Sequence, residues 1–213
     1  MPESASRRIS QKYLAFGVVA AAVISLLAAY LLGAFEKRGK INANDICRNV
    51  PNRQETAMVF NSILPQSAQY HFRETWHPET DWSFKSNCST RGEGDKALFS
   101  LTAEMGSARP WQQWAETEIP PNDGGKITYF DAGLKGISNA EVAAIWLPCY
   151  AHEETSKQPW SMSVFADALK PLEASDEEAR QTLIDLATSF ARQAHEDAKC
   201  DLPSKLPSST AIR

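Results

Sequence analysis

An uninterrupted apolar run near the start of the chain constrains its organisation more than any other feature. The run extends from Leu14 to Phe35 and holds 22 residues without a charge. As a helix rising about 1.5 Å per residue, it would be about 33 Å long, enough to cross a hydrocarbon core of about 30 Å. A signal peptide usually has a shorter apolar core, of about 7–15 residues, that ends in a small-x-small site. The best candidate end here, Leu32-Gly33-Ala34, begins with a bulky residue, so the run predicts an uncleaved transmembrane helix.

Basic residues flank both ends of this run, three on each side, so the positive-inside rule alone leaves its orientation open. The short N-terminal tail and the position of every cysteine beyond the run favour a cytoplasmic N-terminus. The sequence predicts a cytoplasmic tail (1–13), a transmembrane helix (14–35), a charged flexible stalk (36–44), an extracytoplasmic domain (45–202) and a flexible tail (203–213). The expected location is the cell membrane, with a single span and the C-terminal domain extracytoplasmic.

The charge of the region beyond the span limits its partners. From Ile41 onward the chain carries 16 Lys and Arg against 24 Asp and Glu, a net charge of −8. An acidic domain lacks the basic patch that binds nucleic acid or anionic lipid headgroups. The expected partners are therefore the lipid bilayer, through the anchor, and an envelope protein or small ligand, with no nucleic acid.

Four cysteines, Cys47, Cys88, Cys149 and Cys200, all lie beyond the span. Their number is even, their spacing is wide and no CxxC pair occurs, so two disulfides in an oxidising compartment explain them best. Three connectivities are possible in principle. We favour Cys47–Cys88 and Cys149–Cys200, because each of these bridges would tie the flank of a predicted helix to a strand. Each would close a loop of about 40–50 residues, for which chain entropy predicts about 4 kcal/mol of stabilisation.

The periodicity of the remaining residues predicts an α+β domain, with an antiparallel sheet covered by helices. Asn52 is expected to cap a helix that ends near Leu64, with Met58, Val59, Ile63 and Leu64 toward the core. Alternating strands are expected near 70–74, 82–86, 97–105, 127–130, 141–151 and 161–169, and Gly133 to Gly136 is expected to form a turn. Pro110 should open a short helix. Ser175 and Glu178 form a capping box before a long apolar stripe that predicts a helix to about Lys199. Strands that are grouped rather than alternating with helices indicate an antiparallel sheet.

No motif with a known chemistry is present. The four histidines lack metal-ligand spacing, and no nucleophile elbow, P-loop or dinucleotide fingerprint follows a strand. We therefore expect no catalytic residue, no metal and no cofactor. Trp111 and Trp114 are the most distinctive candidates for partner binding, because residues at i and i+3 share one helix face. The alternative is that both rings are buried against the strand residues Phe99 and Leu101.

Three segments carry a resemblance to a known group of proteins: Ser86 to Gly92 (SNCSTRG), Trp146 to Cys149 (WLPC) and Ala194 to Cys200 (AHEDAKC), after a basic tail and an Ala/Val/Leu-rich anchor. The chain resembles uncharacterised membrane-anchored exported proteins of Streptomyces-type actinobacteria. The resemblance covers most of the chain, but its motifs are structural, and it implies topology and paired cysteines rather than an activity.

The function expected from these features is that of a single-pass envelope protein with a non-catalytic binding or interaction ectodomain. Two alternatives remain open. A carrier of a lipid or cell-wall precursor would need a deep cavity lined by Phe and Leu. An envelope hydrolase would need acids, bases or a nucleophile that only folding brings together.

Overall fold

The computed structural model describes residues 23–25, 27, 37–77, 83–118, 126–131, 135–151 and 159–207. The chain divides into two compact units, residues 1–38 and 39–213. In the first unit, Val23, Ile24, Ser25 and Leu27 are helical with exposed side chains. The rest of the predicted span 14–35 lies outside the described residues. Among those that are described, no helix combines the length and the apolar character that crossing a bilayer requires.

The second unit is built on an antiparallel sheet. Its described strands are β1 (His71–His77), β2 (Lys85–Arg91), β3 (Ala97–Ser107), β4 (Thr128–Asp131), β5 (Lys135–Ser138), β6 (Val142–Tyr150) and β7 (Trp160–Ala168). Its described α-helices are α1 (Arg53–Ile63), α2 (Trp111–Glu118) and α3 (Asp176–Asp197), and a short 3₁₀ helix, Glu93–Asp95, joins β2 to β3. The expected fold class, an α+β domain with an antiparallel sheet, is confirmed.

Two meanders of consecutive strands join side by side to make this sheet. The strand order is β1-β2-β3-β7-β6-β5-β4, so β3 and β7 meet at the centre. Their register places Leu101 opposite Ala166 and Ala103 opposite Val164. These four side chains are buried on one face, which we call the main face. Because side chains alternate between the faces of a strand, the residues between them point to the opposite face, which we call the second face.

Helices α1 and α3 cover the main face. Phe60 of α1 lies between Phe72 of β1 and Phe99 of β3, with ring centroids 6.0 and 5.1 Å apart. Helix α3 packs against β3, β6 and β7 through an apolar stripe that includes Leu183 and Phe190. Full burial of one such side chain contributes about 1.5–3 kcal/mol. The main face and its two helices therefore contain most of the hydrophobic core.

Helix α1 lies where it was expected, but two details of the prediction were wrong. Asn52 adopts a left-handed backbone (φ 48°, ψ 44°) and its side chain makes no capping hydrogen bond. Met58, predicted to face the core, is 61% exposed. The core positions are Ala57, Phe60 and Ile63, whose spacing of three residues keeps them on one face. Met58 follows Ala57 by about 100° of helical rotation, which turns it toward solvent.

Strand β5 was missed because its sequence contains Gly136. Glycine is a turn signal, but the space that a Cβ would occupy at Gly136 is filled by the Phe130 ring, within 2.2–2.6 Å of it. These two residues are register partners on β4 and β5. A glycine within a strand can mark a close approach of this kind rather than a turn.

Helix α3 begins with the predicted capping box. The Ser175 side chain accepts a hydrogen bond from the Glu178 backbone N–H, and the Glu178 carboxylate accepts one from the Ser175 backbone N–H. The Ser175 hydroxyl also donates to the Glu178 carboxylate, and this bond, together with the one from the Ser175 backbone N–H, lowers the pKa of Glu178 below its usual value. The N-terminus of α3 is therefore specified locally by its own sequence.

The stalk and the C-terminal tail are more closely packed than the sequence suggested. Ile41, within the predicted flexible stalk, is 2% exposed, and Asn61 of α1 donates to its carbonyl and accepts from its N–H. Gly39 lies so close to the Ala68 carbonyl that a Cβ would be 2.6 Å from its oxygen. At the other end, Leu206 packs against the core. Single apolar residues within polar segments attach both stretches to the domain, an effect that the average composition of a segment does not reveal.

Both favoured disulfides are present. Cys47, before α1, bonds to Cys88 of β2 with Cα atoms 5.9 Å apart, and Cys149 of β6 bonds to Cys200, just after α3, with Cα atoms 4.5 Å apart. Each bridge ties the flank of a helix to a strand, which was the reason for expecting that pairing. Among the described residues no free cysteine remains.

Candidate ligand pocket

The second face of the sheet is divided into a covered half and an open half. Helix α2 packs on the covered half, formed by β5 and β6, through Trp114, Ala115, Ile137, Val142 and Ala144. On the open half, Asn87 of β2 donates hydrogen bonds to the hydroxyls of Ser100 and Thr102 on β3. Of the described helices, α2 contacts β5 and β6, and the polar side chains of this other half are left without a helix packed on them.

Trp114 is part of the small core under α2 and is not available to a partner. Its side chain is 1% exposed, and its indole N–H donates a 2.8 Å hydrogen bond to the Ser163 hydroxyl on β7. The hypothesis of an exposed tryptophan pair is therefore excluded, because one of the two rings is buried. The alternative position was also wrong, because Phe99 and Leu101 point to the main face, whereas α2 lies on the second face.

Trp111, one turn earlier in α2, is half-buried at the edge of this small core. Its ring meets Tyr129 of β4 edge to face, with centroids 5.7 Å apart, and the Lys135 ammonium lies 5.7 Å from the ring centroid. Tyr129 is 63% exposed. Binding of a partner at Trp111 remains a prediction, but it would involve Tyr129 and Lys135 rather than Trp114.

Asp167 lies on the second face at the border between its two halves. Its register partners are Ser100 of β3, on the open side, and Val142 of β6, on the covered side. Burial raises the pKa of the Asp167 carboxyl to about 6. The cause is loss of hydration, which disfavours the ionised form. At neutral pH this carboxyl must be ionised while partly buried, which lowers the free energy of unfolding.

One cavity lies between the end of α1 and the start of α3. It encloses about 580 Å³. The residues that line it are mainly polar or charged: Ser62, Ile63, Glu173, Ala174, Glu177, Glu178, Arg180, Gln181 and Thr182. Two of its acids have structural roles, because Glu178 caps α3 and Glu173 accepts a hydrogen bond from the Gln66 backbone N–H. This cavity is therefore better explained as an open groove at a helix terminus than as a ligand site.

Another cavity, of about 220 Å³, has a more specific construction, and we call it the Trp76 pocket. It is lined by Arg48, Asn49, Glu74, Trp76, Gln193 and Asp197. Trp76 is 49% exposed and is the only tryptophan among the exposed large apolar side chains of the described residues. A half-exposed indole beside five polar side chains combines apolar contact area with groups that fix orientation, which is the usual composition of a ligand site.

Hydrogen bonds hold several of the pocket's side chains in place. The Arg48 backbone N–H donates to the Glu74 carboxylate at 2.7 Å, and the Gln193 amide donates to the Asp197 carboxylate at 2.8 Å. Asn49, 7% exposed, donates through Nδ2 to the Ser86 hydroxyl and the Asn87 carbonyl. Because a carbonyl oxygen can only accept, the group of Asn49 that faces the Asn87 carbonyl must be its NH₂. The Asn49 Oδ1 atom therefore points away from Asn87. Within the described residues, no donor reaches that buried oxygen.

The two disulfides stand next to the walls of this pocket. Arg48 and Asn49 directly follow Cys47, whose partner Cys88 is the register neighbour of Glu74. On the other side, Gln193 and Asp197 lie in the last turns of α3, just before Cys200. The loop that carries Arg48 and Asn49 and the end of α3 that carries Gln193 and Asp197 are therefore each joined to a strand by a disulfide, which favours a preformed site.

The Trp76 pocket was missed from the sequence, although a signal for part of it was present. The alternation that identified β1 through Phe72 and Glu74 continues to Trp76 and so places all three side chains on the main face. Phe72 packs on the core, whereas Trp76, near the end of the strand, is only partly covered. Arg48 and Asp197 are 149 residues apart along the chain, so no local pattern could have associated them.

The histidines form no metal site among the described residues. His71 and His77 are exposed on β1, a ring nitrogen of His195 lies 2.8 Å from the Leu202 carbonyl oxygen, and His152 lies outside the described residues. Among the residues that the structure does describe, no group of three or more His, Cys, Asp or Glu side chains could hold a metal ion.

Comparisons with protein-family models, with curated proteins and with solved structures gave no match. The function must therefore be inferred from the residues and geometry of the site itself.

Proposed function

We propose that this chain is a membrane-anchored envelope protein whose extracytoplasmic domain binds a small ligand in the Trp76 pocket. The observation that carries the proposal is the pocket itself, with its half-exposed indole and oriented polar side chains. Its volume of about 220 Å³ is below the 300–1,000 Å³ that is typical of sites for drug-sized ligands. The ligand, or the part of it that enters, is therefore small.

The location rests on the two disulfides and on the apolar run 14–35. Disulfides persist in oxidising compartments and are rare in the cytosol, and both lie beyond the run. A run of 22 uncharged residues is long enough to anchor the chain. The resemblance to membrane-anchored exported proteins of actinobacteria points the same way.

A binding role is favoured over a carrier of lipid by the residues that line the two cavities described above. Both are bordered mainly by charged or amide side chains, and neither has the Phe and Leu lining that an acyl chain requires. The proposal therefore concerns a polar ligand with one apolar face.

Two measurements test the proposal. The first is protease digestion of the domain in cells whose outer layers have been removed, before and after lysis. We expect digestion before lysis, and protection until lysis would contradict the location. The second is native mass spectrometry of the full chain purified from its own envelope in detergent.

We expect the native spectrum to contain a bound small molecule that is lost in a Trp76→Ala variant. Trp111→Ala is the matched control, because it removes a half-buried indole from the second face and leaves the pocket intact. A spectrum without any bound species, or a ligand retained by the Trp76 variant, would contradict the binding role.

A further inference from the structure

We infer that the Trp76 pocket recognises a single pyranose sugar ring. This inference rests on the proposed binding function and specifies the chemistry of the ligand. The ring could come from a free sugar or from the end of a surface glycan, since the two present the same groups to a pocket of this size.

The aromatic wall supplies the first reason. A pyranose has one face with several C–H groups, which carry a small positive charge, and a rim of hydroxyls. An indole presents the complementary negative face of its π-system. Trp76, 49% exposed at the mouth of a polar cavity, offers such a surface to a ring that stacks on it. A small anion would gain nothing from this wall, and an acyl chain would leave the other walls unpaired.

The polar walls supply the second reason. Five of the six lining residues end in a planar group: a guanidinium (Arg48), two carboxylates (Glu74, Asp197) and two amides (Asn49, Gln193). Carboxylates accept two hydrogen bonds side by side, guanidinium donates in a fork, and amides do both. Neighbouring hydroxyls on a sugar ring each donate and accept, so they match pairs of such groups. Opposite charges within the lining also disfavour a strongly charged ligand.

The existing hydrogen bonds leave capacity for a ligand. Arg48 uses its backbone N–H on Oε2 of Glu74, which leaves its guanidinium and the other Glu74 oxygen for a ligand. Gln193 binds Oδ1 of Asp197 through its amide nitrogen, which leaves its carbonyl oxygen to accept. The polar groups are thus oriented before binding, which reduces the entropy cost of recognising a hydroxyl-rich molecule.

The volume supplies the third reason. A space of about 220 Å³ admits one ring and excludes a chain of rings. If the source is a glycan, its terminal residue would enter while the rest remained outside. The exposure of Trp76 leaves such a path to solvent.

The test uses the full chain in lauryldimethylamine oxide, because sugar-based detergents would compete for the site. Glucose, mannose, N-acetylglucosamine and chitotriose are titrated separately, with saturation-transfer NMR and calorimetry as readouts. We expect saturable binding of at least one of these sugars. Trp76→Ala should weaken it by about tenfold or more, as removal of a central aromatic anchor does. Trp76→Phe should retain part of the affinity, and Trp111→Ala should leave it unchanged.

A second arm identifies the source of the ring. Equal affinity for the monosaccharide and for chitotriose indicates recognition of one ring, and retention on insoluble cell-wall glycan, competed by the free sugar, indicates a glycan end. Retention without such competition contradicts the pocket as the site. A circular dichroism spectrum of each variant that matches the wild type shows that a loss of affinity is not a loss of folding.

Two results would overturn the inference. One is the absence of saturable binding by all four sugars. The other is equal binding by wild type and Trp76→Ala. If a ligand that is not a sugar co-purifies and is lost in Trp76→Ala, the sugar inference fails while the binding function stands.

Discussion

Trp114 and Trp76 lie on opposite faces of one sheet, and the first is buried whereas the second is half exposed. Trp114 is covered by its own helix, packs on β5 and β6 and satisfies its indole N–H at Ser163. Trp76 extends from β1 on the face that carries most of the core, yet it is 49% exposed. The face on which a tryptophan lies does not decide its role. Coverage by a neighbouring element does, so a buried structural tryptophan and a candidate binding tryptophan can be told apart only when the packing is known.

The largest expected effect tests the structural half of this comparison. Trp114→Ala should lower the free energy of unfolding by about 3–5 kcal/mol, because it removes a large ring from a filled space and leaves Ser163 without its donor. Chemical denaturation of the purified full chain measures the change. Trp114→Phe, which keeps most of the apolar area, is the matched control and should cost less. A loss below about 1 kcal/mol for Trp114→Ala would contradict the burial of this ring.

The disulfides should have the next largest effect. Replacing Cys47 and Cys88 with Ala, or Cys149 and Cys200 with Ala, should each cost about 2–5 kcal/mol, because the bridges span 41 and 51 residues. Each double variant should also weaken ligand binding, since each bridge stands beside one wall of the pocket. Denaturation and native mass spectrometry of the same samples separate the two effects. A double variant with unchanged stability would argue against that bridge.

Asp167, at the border between the covered and open halves of the second face, should make stability depend on pH. Its carboxyl ionises near pH 4 when unfolded and near pH 6 when folded. Between these values the folded state binds more protons, so this contribution to stability falls as pH rises from about 4 to about 6 and stays low above that. Asp167→Asn should therefore stabilise the protein by about 1–3 kcal/mol at pH 7.5.

The pH dependence of that difference is the decisive measurement. At pH 3.5 the wild-type carboxyl is mostly protonated in both states, so Asp167→Asn should change the free energy of unfolding little. Unfolding curves of both proteins at pH 3.5 and 7.5 give the comparison. An identical difference at both pH values would show that the aspartate does not titrate as its burial implies.

The smallest expected effect on stability tests the other half of the comparison. Trp76→Ala should change the free energy of unfolding by less than about 1 kcal/mol, because half of the ring is already in contact with water. The same variant should lose the ligand that co-purifies with the wild type. A stability loss as large as that of Trp114→Ala would mean that Trp76 supports the fold rather than a site.

Most of the fold could be predicted from local patterns. The hairpin of β2 and β3, the long strands β6 and β7 and helix α3 follow alternation, turn residues and a capping box, which act over short distances. Strand β5 could not be predicted, because Gly136 meets Phe130 only once β4 and β5 are paired. The packing of Ile41 and Leu206 was missed for the same reason, since each depends on a partner far away in sequence.

The candidate site could be predicted much less well. The tryptophans chosen from the sequence, Trp111 and Trp114, were selected for their helical spacing, and the structure buries one of them. Nothing in the sequence indicated that Arg48, Glu74 and Asp197 would come together, because they belong to a loop, a strand and a helix that are far apart in the chain.

The sequence by itself determined the α+β class, the start of α3, the acidic character of the domain and an even number of widely spaced cysteines. These properties depend on composition, on periodicity and on spacing, all of which are properties of the chain before it folds. The tertiary structure alone decided which face α2 covers, which tryptophan remains exposed and which polar side chains share a pocket. Those outcomes depend on contacts between residues that are distant in sequence. Such contacts form only when the helices pack on the sheet, and they depend on which parts of the sheet each helix covers.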